Sequence, residues 1–422
     1  MFIRAQTPKG TKDILPQENK EYSWIKNKIG TIFERWTYQQ ISTPIIEFLD
    51  SLTTNLGSEL VKKMLKFQDL DGDLLALRPE MTIPIARCVS SNFKEMETPI
   101  RLFYIENVFR YGQSYIDRKR EFWQAGVELL GEPSLEADGE ILALLVTTLR
   151  EIGLKNFRID ISLMDLIDTV FTELKIDRQR KTDFLELIES KNKFTIEEFF
   201  QAERIPKDYS ELILKLLSAK KLSEVIELNL TLFPGLEDLL QTFRTINEIL
   251  IDYDIEDYVF FDFTLSRDIS YYTGLIFEIS VPESASIIGG GGRYDGLVSA
   301  FGNGDLSGAG FALEIDKCLE VLRYQRNELS TKMETRILVL AKRRIDGIII
   351  SNLLRKTGCK VAFQIQNNTS EKKDLTGQKQ NFDYAVFVSE KNRSSLNVLN
   401  LNTSSTENVL VSDIEQLFGG SQ

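Results

Sequence analysis

Apolar residues near the start of the chain recur at helical spacing and are followed by runs typical of strands. After Pro16 the spacing predicts a helix with one buried face. The apolar residues of this helix are Ile25, Ile29, Ile32, Phe33 and Trp36. Residues 38–47 are rich in β-branched side chains and predict one strand, which Pro44 confines to a sheet edge or a bulge. Two later apolar runs, 102–110 and 121–130, predict an antiparallel hairpin with a long basic tip.

The middle of the chain alternates between strand and helix patterns. Residues 141–152 have the apolar content of a buried helix, and residues 157–163 alternate apolar and polar side chains as a half-buried strand does. From about 177 to 253 the sequence becomes charged and leucine-rich, which predicts an inserted set of amphipathic helices. Further strands are predicted at 259–263 and 275–281.

The C-terminal part of the chain has the pattern of a separate small domain. After a last apolar helix through Leu322, the polar segment 326–334 has the composition of a linker. Strands are then predicted at 337–341, 361–365 and 384–388, and helices at 347–355 and 413–418. We therefore expect an α+β core domain at 1–325, with its helical insertion at about 177–253, and an α/β domain at 335–422.

Composition excludes several kinds of chemistry. The 422 residues contain no histidine, so a Ser-His-Asp triad, a Cys-His pair and imidazole ligands for zinc are all absent. Three separate cysteines form no CxxC pair and fit a reducing cytoplasm. The N-terminus has no signal-peptide core, and no apolar run reaches the roughly 20 residues that span a bilayer. We expect a cytoplasmic protein with no metal, no cofactor and no membrane contact.

Charge argues against nucleic acid as a general partner. The net charge is −12, although residues 335–422 carry 12 Lys and Arg against 8 Asp and Glu. A solvated surface of mixed sign explains the basic C-terminal stretch, so nucleic acid is not an expected partner.

Four segments combine polar residues in unusual ways. They are 77–82 (LRPEMT), the hairpin tip 111–120, 265–274 (LSRDISYYTG) and 290–296 (GGGRYDG). Three of them have an alternative explanation when taken alone: Arg78 and Glu80 could form a surface pair, and the two tyrosines could belong to a core strand. The glycines match neither GK[ST] nor GxGxxG, so by themselves they give no nucleotide-binding motif.

Taken together and in this order, these segments resemble the motifs of histidyl-tRNA synthetases. The resemblance includes 7–16 (TPKGTKDILP), the strand ending at Glu47, 109–110 with 118–122, 124–128 (QAGVE), the Tyr271–Tyr272 stretch and 291–296 (GGRYDG). It spans residues 7 to about 320 and implies the class II aminoacyl-tRNA synthetase fold, an antiparallel sheet flanked by helices. It also implies self-association through the helix and strand that include Pro44. The C-terminal domain resembles the synthetases' anticodon-binding module.

Several positions depart from the synthetase pattern. Arg110 matches the motif 2 arginine, but Gly112 stands where a glutamate is expected, and Lys317 stands at the motif 3 arginine. Lysine lacks the planar fork that clamps a phosphate chain. Ser270 replaces the acidic residue expected before the tyrosine pair. Residues 78–87 (RPEMTIPIAR) have Met81 where a synthetase would have glycine, and they resemble the non-aminoacylating relatives, the regulatory subunits of ATP phosphoribosyltransferase.

The family resemblance implies a pocket for free histidine. It places Glu80, Thr82 and Gln124 at the α-ammonium and Arg267 at the carboxylate, with Arg110 nearby. Glu128 and Tyr272 are placed at the imidazole, and Tyr271 completes the set. The alternative is an inherited scaffold in which these polar groups satisfy one another.

The resemblance therefore predicts a non-catalytic subunit with no catalytic residues of its own. Its implied partner is the short-form ATP phosphoribosyltransferase catalytic subunit, in a hetero-oligomer that serves the first step of histidine biosynthesis and is feedback-regulated by histidine. Two alternatives remain open. One is an active histidine–tRNA ligase, to which the cluster Lys342-Arg343-Arg344 lends some support. The other is a stand-alone amino-acid-binding or adaptor protein.

Overall fold

The computed structural model describes most of the chain as two compact units, Met1–Leu329 and Ser330–Gln422. The described residues are 5–53, 56–93, 96–111, 119–176, 180, 183–184, 187, 193–229, 233–265, 271–284, 287–302, 305–326, 335–365, 381–389 and 394–418.

Helices of the first unit flank its sheets. Within the described residues they are α1 (Pro16–Arg35), α2 (Leu49–Thr53), α3 (Ser58–Lys62), α4 (Thr82–Asn92), α5 (Leu135–Ile152), α6 (Leu166–Glu173), α7 (Lys193–Ala202), α8 (Lys207–Ser218), α9 (Leu222–Ile226), α10 (Glu237–Asp252) and α11 (Ile315–Arg326). The helix predicted after Pro16 is confirmed as α1, and Trp36 lies just beyond its end.

Among the described residues, the strands of the first unit form two sheets. They are β1 (Gln39–Gln40), β2 (Ile46–Phe48), β3 (Lys66–Gln68), β4 (Leu74–Leu77), β5 (Ile100–Phe109), β6 (Glu121–Leu130), β7 (Arg158–Leu163), β8 (Val259–Phe261), β9 (Leu275–Ser280), β10 (Gly289–Arg293) and β11 (Gly308–Glu314). The larger sheet has the order β1-β5-β6-β11-β10-β9-β7-β8, and the smaller has the order β2-β4-β3.

The larger sheet is antiparallel through its centre and parallel at both edges. Strands β5 and β6 pair antiparallel from Ile100↔Leu130 to Phe109↔Glu121, so the predicted hairpin is confirmed. The edge strands β1 and β8 pair in parallel with their neighbours β5 and β7. This mixed sheet flanked by helices agrees with the predicted α+β fold class.

The single strand predicted for 38–47 is wrong. The chain instead makes the two-residue strand β1 at the edge of the larger sheet and then enters the smaller sheet as β2. Pro44 lies between the two strands, where the missing backbone N–H interrupts a ladder. The segment thus connects two sheets rather than extending one.

The two faces of the larger sheet carry different layers. On one face the ring of Phe33 from α1 packs edge-on against Phe103 of β5 and Phe311 of β11, with centroids 5.5 and 5.8 Å apart. This apolar cluster continues through α5 and on into helices α7 to α10. On the opposite face a second cluster joins α4 to side chains of β5 and β6 such as Tyr104. Burial of these apolar groups is the main stabilising contribution to the fold.

The second unit is a five-stranded sheet with helices packed on it. Its elements are β12 (Arg336–Ala341), α12 (Arg344–Lys356), β13 (Lys360–Ile365), β14 (Tyr384–Val388), β15 (Ser395–Asn400), β16 (Thr406–Leu410) and α13 (Ile414–Phe418), with sheet order β13-β12-β14-β15-β16. The sequence pattern did not predict β15 and β16, because polar residues dilute the apolar signal in both. No helix among the described residues is long and apolar enough to cross a membrane.

Candidate functional site

The candidate site lies on the face of the larger sheet that α4 covers. Strand pairing brings Gly126, Gly310 and Gly292 to neighbouring positions on this face. A Cβ at Gly126 would overlap the Tyr104 hydroxyl, and a Cβ at Gly310 would overlap the Glu128 carboxylate. Glycine at these positions therefore leaves room for large polar side chains directly above the strands.

Glu128, on β6, is the most deeply placed acid of the site. Glu128 is only 2% exposed to solvent. The Thr82 hydroxyl donates to Oε1 at 3.0 Å, and the Tyr294 hydroxyl donates to Oε2. Burial raises the pKa of Glu128 to about 8, although both hydrogen bonds act in the opposite direction. The carboxyl group can consequently gain or lose a proton near neutral pH.

Glu80 holds the first turn of α4. Its Oε2 accepts from the Thr82 backbone N–H at 2.7 Å, and its Oε1 accepts from the Ile83 N–H at 2.9 Å. Burial raises the pKa of Glu80, and these backbone donors lower it. Because Glu80 accepts from the Thr82 N–H, it fixes the backbone from which the Thr82 hydroxyl donates to Glu128. Sequence reasoning missed this capping role, although an acid just before a helix start was its signal.

Tyrosines form one wall of the site. The rings of Tyr271 and Tyr272 have centroids 5.0 Å apart, and those of Tyr271 and Tyr294 are 5.9 Å apart. The Tyr271 hydroxyl reaches Glu80 Oε2 at 3.5 Å. Burial raises the pKa of Tyr104, Tyr271 and Tyr294 well above the usual value, so these phenols stay neutral. We use the name acid cluster for Glu80, Thr82, Glu128, Tyr271 and Tyr294.

Two of these tyrosines were not predicted as site residues. Tyr104 lies on β5 opposite Gly126, and Tyr294 follows the glycine strand β10. The sequence did offer a signal for Tyr294, because it lies in the GGRYDG run. It offered none for Tyr104, which looks like an ordinary core residue of an apolar strand.

Gln124 presents an unpaired acceptor to the site. It lies on β6 on the same face as Glu128 and is 5% exposed. Within the described part of the chain, its Oε1 atom is buried and has no hydrogen-bond partner. An unsatisfied buried acceptor costs about 1–3 kcal/mol, so a ligand N–H donor at this place would be favoured.

The other end of the site contains charges that pair with one another. Arg110 Nη2 donates to Glu314 Oε1 at 3.1 Å, and Lys317 Nζ lies 2.8 Å from Glu314 Oε2. Arg110 also donates to the Pro79 carbonyl at 3.3 Å, next to Glu80. We call Arg110, Glu314 and Lys317 the cationic end. Sequence reasoning did not single out Glu314, although its position three residues before Lys317 favours such a pair.

Other motif residues lie away from the acid cluster or outside the described residues. Arg293 pairs with Asp138 at 2.7 Å and donates to the Ser134 carbonyl, so it anchors β10 to α5. Arg267, predicted at the ligand carboxylate, lies outside the described residues, as does Gly112. Among the residues that the structure describes, no group of three Cys, Asp or Glu side chains could hold a metal ion.

The predicted residues are thus partly brought together. Hydrogen bonds link Glu80, Thr82, Glu128 and Tyr271, and the ring of Tyr272 lies beside Tyr271. Gln124 lies on the same sheet face but opposite Glu314, and Arg110 lies at the cationic end. Fold and site together define a protein of the class II aminoacyl-tRNA synthetase type.

Comparison with known proteins identifies the family. The family model for histidyl-tRNA synthetase matches residues 10–318, so the chain belongs to the histidyl-tRNA synthetase family. The histidine–tRNA ligase of Pyrococcus abyssi is 33% identical over 374 residues, 86% of this chain and 86% of that protein. The ATP phosphoribosyltransferase regulatory subunit of Halothermothrix orenii is 33% identical over 393 residues, 91% and 93% of the two chains.

A solved structure agrees with this assignment. The Bacillus halodurans protein described as an ATP phosphoribosyltransferase regulatory subunit/histidyl-tRNA synthetase superposes with a TM-score of 0.80 at 28% identity. The match covers 92% of this chain and 99% of that chain. Relatives of two kinds, regulatory subunits and ligases, therefore share this fold.

Proposed function

We propose that this chain is a non-catalytic regulatory subunit of ATP phosphoribosyltransferase that binds free histidine. The observation that carries the proposal is that the acid cluster and the unpaired Gln124 acceptor lie on one sheet face, where together they suit a ligand rich in N–H donors. Glu128 and Tyr272 face the imidazole, and Gln124 accepts from the α-ammonium. Arg267 and Arg110 contribute positive charge for the carboxylate.

The absence of aminoacylation is supported by sequence departures and by relatives. Gly112 replaces an ATP-binding glutamate, and Lys317 replaces an arginine, so a phosphate chain lacks its usual clamps. The Halothermothrix orenii relative with the regulatory name matches 91% of this chain. The partner is the short-form catalytic subunit, and the assembly is a hetero-oligomer of the cytoplasm.

Regulation then works as a coupling between two binding events. Histidine stabilises one quaternary state, and the catalytic subunits are less active in that state. A coupling free energy of about 1–3 kcal/mol changes activity or affinity by roughly 5- to 150-fold. No residue of this chain needs to contact the reacting atoms.

Reconstitution tests the proposal. The catalytic subunit is assayed for phosphoribosyl-ATP formation with and without this chain, across a histidine titration. We expect activity to require this chain and to fall as histidine rises. Glu128→Gln should shift the inhibiting histidine concentration upward, while the exposed control Glu320→Gln should leave it unchanged. Equal activity with and without this chain would refute the proposal.

Self-association through the smaller sheet is part of the same proposal. The register of β2, β4 and β3 gives Ile46, Phe48, Phe67, Leu75 and Leu77 a common face. Ile46, Phe48 and Phe67 are exposed, whereas Glu47 on the other face pairs with Arg87 of α4. An exposed apolar face of this kind is typical of an interface, and a second copy offers a self-complementary one.

Light scattering after size exclusion measures this self-association. Phe48→Asp should yield monomers at concentrations where the wild-type chain is dimeric. Tyr324→Asp, which changes an exposed residue of α11, should remain dimeric. A Phe48→Asp chain that stays dimeric would place the interface elsewhere.

The second candidate function is an active histidine–tRNA ligase. It is favoured by the Pyrococcus abyssi relative, whose name states that activity. Histidine-dependent exchange of pyrophosphate into ATP, followed by charging of the cognate tRNA, would establish the ligase activity. Such a result would exclude the proposal that the chain is non-catalytic.

A further inference from the structure

Glu314 occupies an unusual position between two cations of the site. One of its oxygens accepts from Arg110 at 3.1 Å, and the other lies 2.8 Å from Lys317 Nζ. All three side chains are mostly buried, with 27%, 18% and 14% of Arg110, Glu314 and Lys317 exposed. The carboxylate therefore fills the place where an incoming anion would meet both cations.

The surrounding structure restrains this carboxylate. Glu314 is the last residue of β11, and its N–H donates to the Ile288 carbonyl at 2.8 Å. Lys317 is held from the other side, because its Nζ donates to the Ile287 carbonyl at 2.9 Å. A ligand that displaced Glu314 would have to break contacts at both ends of the ion pair.

The location also matters for selectivity. Glu314 pairs across the strands with Gln124, on the face that carries Glu128 four residues further along β6. A small amino acid can thus use the acid cluster without reaching Lys317. A phosphate chain that reached both cations would meet the Glu314 carboxylate, and like charges in contact repel strongly.

We propose that Glu314 is a specificity-determining residue that acts as an internal anion and excludes a nucleoside triphosphate from this site. The site then accepts a small amino acid and rejects ATP. This inference deepens the proposed function and depends on it for the identity of the amino acid. The exclusion itself depends only on the geometry of Arg110, Glu314 and Lys317.

Binding to the isolated full-length chain tests the inference. Magnesium ATP and inorganic tripolyphosphate are titrated by calorimetry into wild type, Glu314→Gln, Glu314→Ala and the control Glu320→Gln. We expect at least a roughly tenfold gain in affinity for both probes when the Glu314 charge is removed. Glu320 lies exposed on α11, so Glu320→Gln removes the same charge from a neighbouring helix and should bind like wild type.

A double variant checks the cause of that gain. Adding Lys317→Met to Glu314→Gln should abolish it, because one of the two released cations is gone. Thermal unfolding of each variant confirms that the proteins compared are folded. Equal affinities of wild type and both Glu314 variants would overturn the inference, as would a gain that survives Lys317→Met.

The outcome is separable from that of the proposed function. If wild type activates the catalytic subunit but the Glu314 variants gain no affinity, only the role of Glu314 fails. If those variants gain affinity while wild type fails to activate the catalytic subunit, the exclusion stands and the regulatory function fails.

Discussion

The acid cluster and the cationic end lie on the same sheet face but handle charge in opposite ways. In the acid cluster two carboxyl groups, Glu80 and Glu128, are buried near each other, and burial raises the pKa of both. At the cationic end, opposite charges pair directly through Glu314. The acid cluster shares its sheet face with the unpaired Gln124 acceptor, whereas the charges of the cationic end neutralise one another. Two ends of one sheet face therefore differ in how charge is held: buried acids at one end and an ion pair at the other.

The largest expected effect is on histidine affinity when the acid cluster loses its central acid. Above about pH 8, where Glu128 is ionised, Glu128→Gln removes a charge-assisted partner worth about 1.5–3 kcal/mol, so affinity should fall by roughly 10- to 150-fold. Calorimetric titration of histidine into the purified chain measures the change. The control Glu320→Gln should bind as wild type does. An unchanged affinity in Glu128→Gln would mean that the polar groups of the cluster only satisfy one another.

The next prediction concerns Gly126, Gly292 and Gly310, which we call the glycine floor because they lie in the strands below the acid cluster. Gly310→Ala would drive a methyl group into the Glu128 carboxylate and the Val127 carbonyl, which overpacks the site. We expect the free energy of unfolding to fall by about 1–3 kcal/mol. Gly30→Ala in α1 is the matched control, because its Cβ meets only Ile105 and Phe103 of β5 at ordinary van der Waals distances and should raise stability by about 0.5–1 kcal/mol. Denaturant unfolding would reveal the opposite signs, and equal effects would contradict a tightly filled floor.

The raised pKa of Glu128 predicts a pH dependence of stability. The folded state keeps the proton up to about pH 8, whereas the unfolded state releases it near the ordinary value of 4.5. The folded state therefore binds more protons in this window, and the free energy of unfolding should decrease as pH rises from about 4.5 to about 8. Glu80 contributes in the same direction, so the difference between wild type and Glu128→Gln isolates Glu128. Parallel stability curves for the two proteins would exclude a raised pKa.

The smallest expected effect tests whether the two ends are separate. Lys317→Met removes a cation that already pairs with Glu314 and donates to a backbone carbonyl. Because histidine does not reach this residue in our proposal, its affinity should change by less than about twofold, which is under 0.5 kcal/mol. A tenfold loss of histidine affinity in the same calorimetric titration would show that histidine contacts both the acid cluster and Lys317.

Periodic elements of the fold were predictable because local pattern and tertiary role agree. The spacing of Ile25, Ile29 and Ile32 predicts α1, and all three side chains are buried in it. The structure of segment 38–48 was harder to predict, because no local sequence pattern indicates that the chain passes from one sheet to the other there. The glycine strand β10 was not predictable from propensity either, because glycine is poor in strands and is favoured here only by the side chains packed above it.

The candidate site divides in the same manner. Motif residues such as Glu80, Thr82, Glu128 and Tyr271 could be named from the sequence, and the structure links them by hydrogen bonds. Tyr104 could not, because it becomes part of the site only through a strand distant along the chain. Glu314 had only the local signal of its spacing from Lys317, and its contact with Arg110 depends on the folded sheet. Arg267 lies outside the described residues, so its role at the ligand carboxylate stays a prediction.

By itself, the sequence determined which side chains are available and which chemistry is excluded, since 422 residues without histidine offer no imidazole of their own. It also determined the helices and strands whose apolar period matches their buried face. Only the tertiary structure decided how charge is distributed over the site. Burial raises the pKa of Glu128, and the folded sheet brings Arg110 to Glu314, which already lies three residues before Lys317. The raised pKa and the Arg110–Glu314 pair both depend on contacts between residues far apart in the chain.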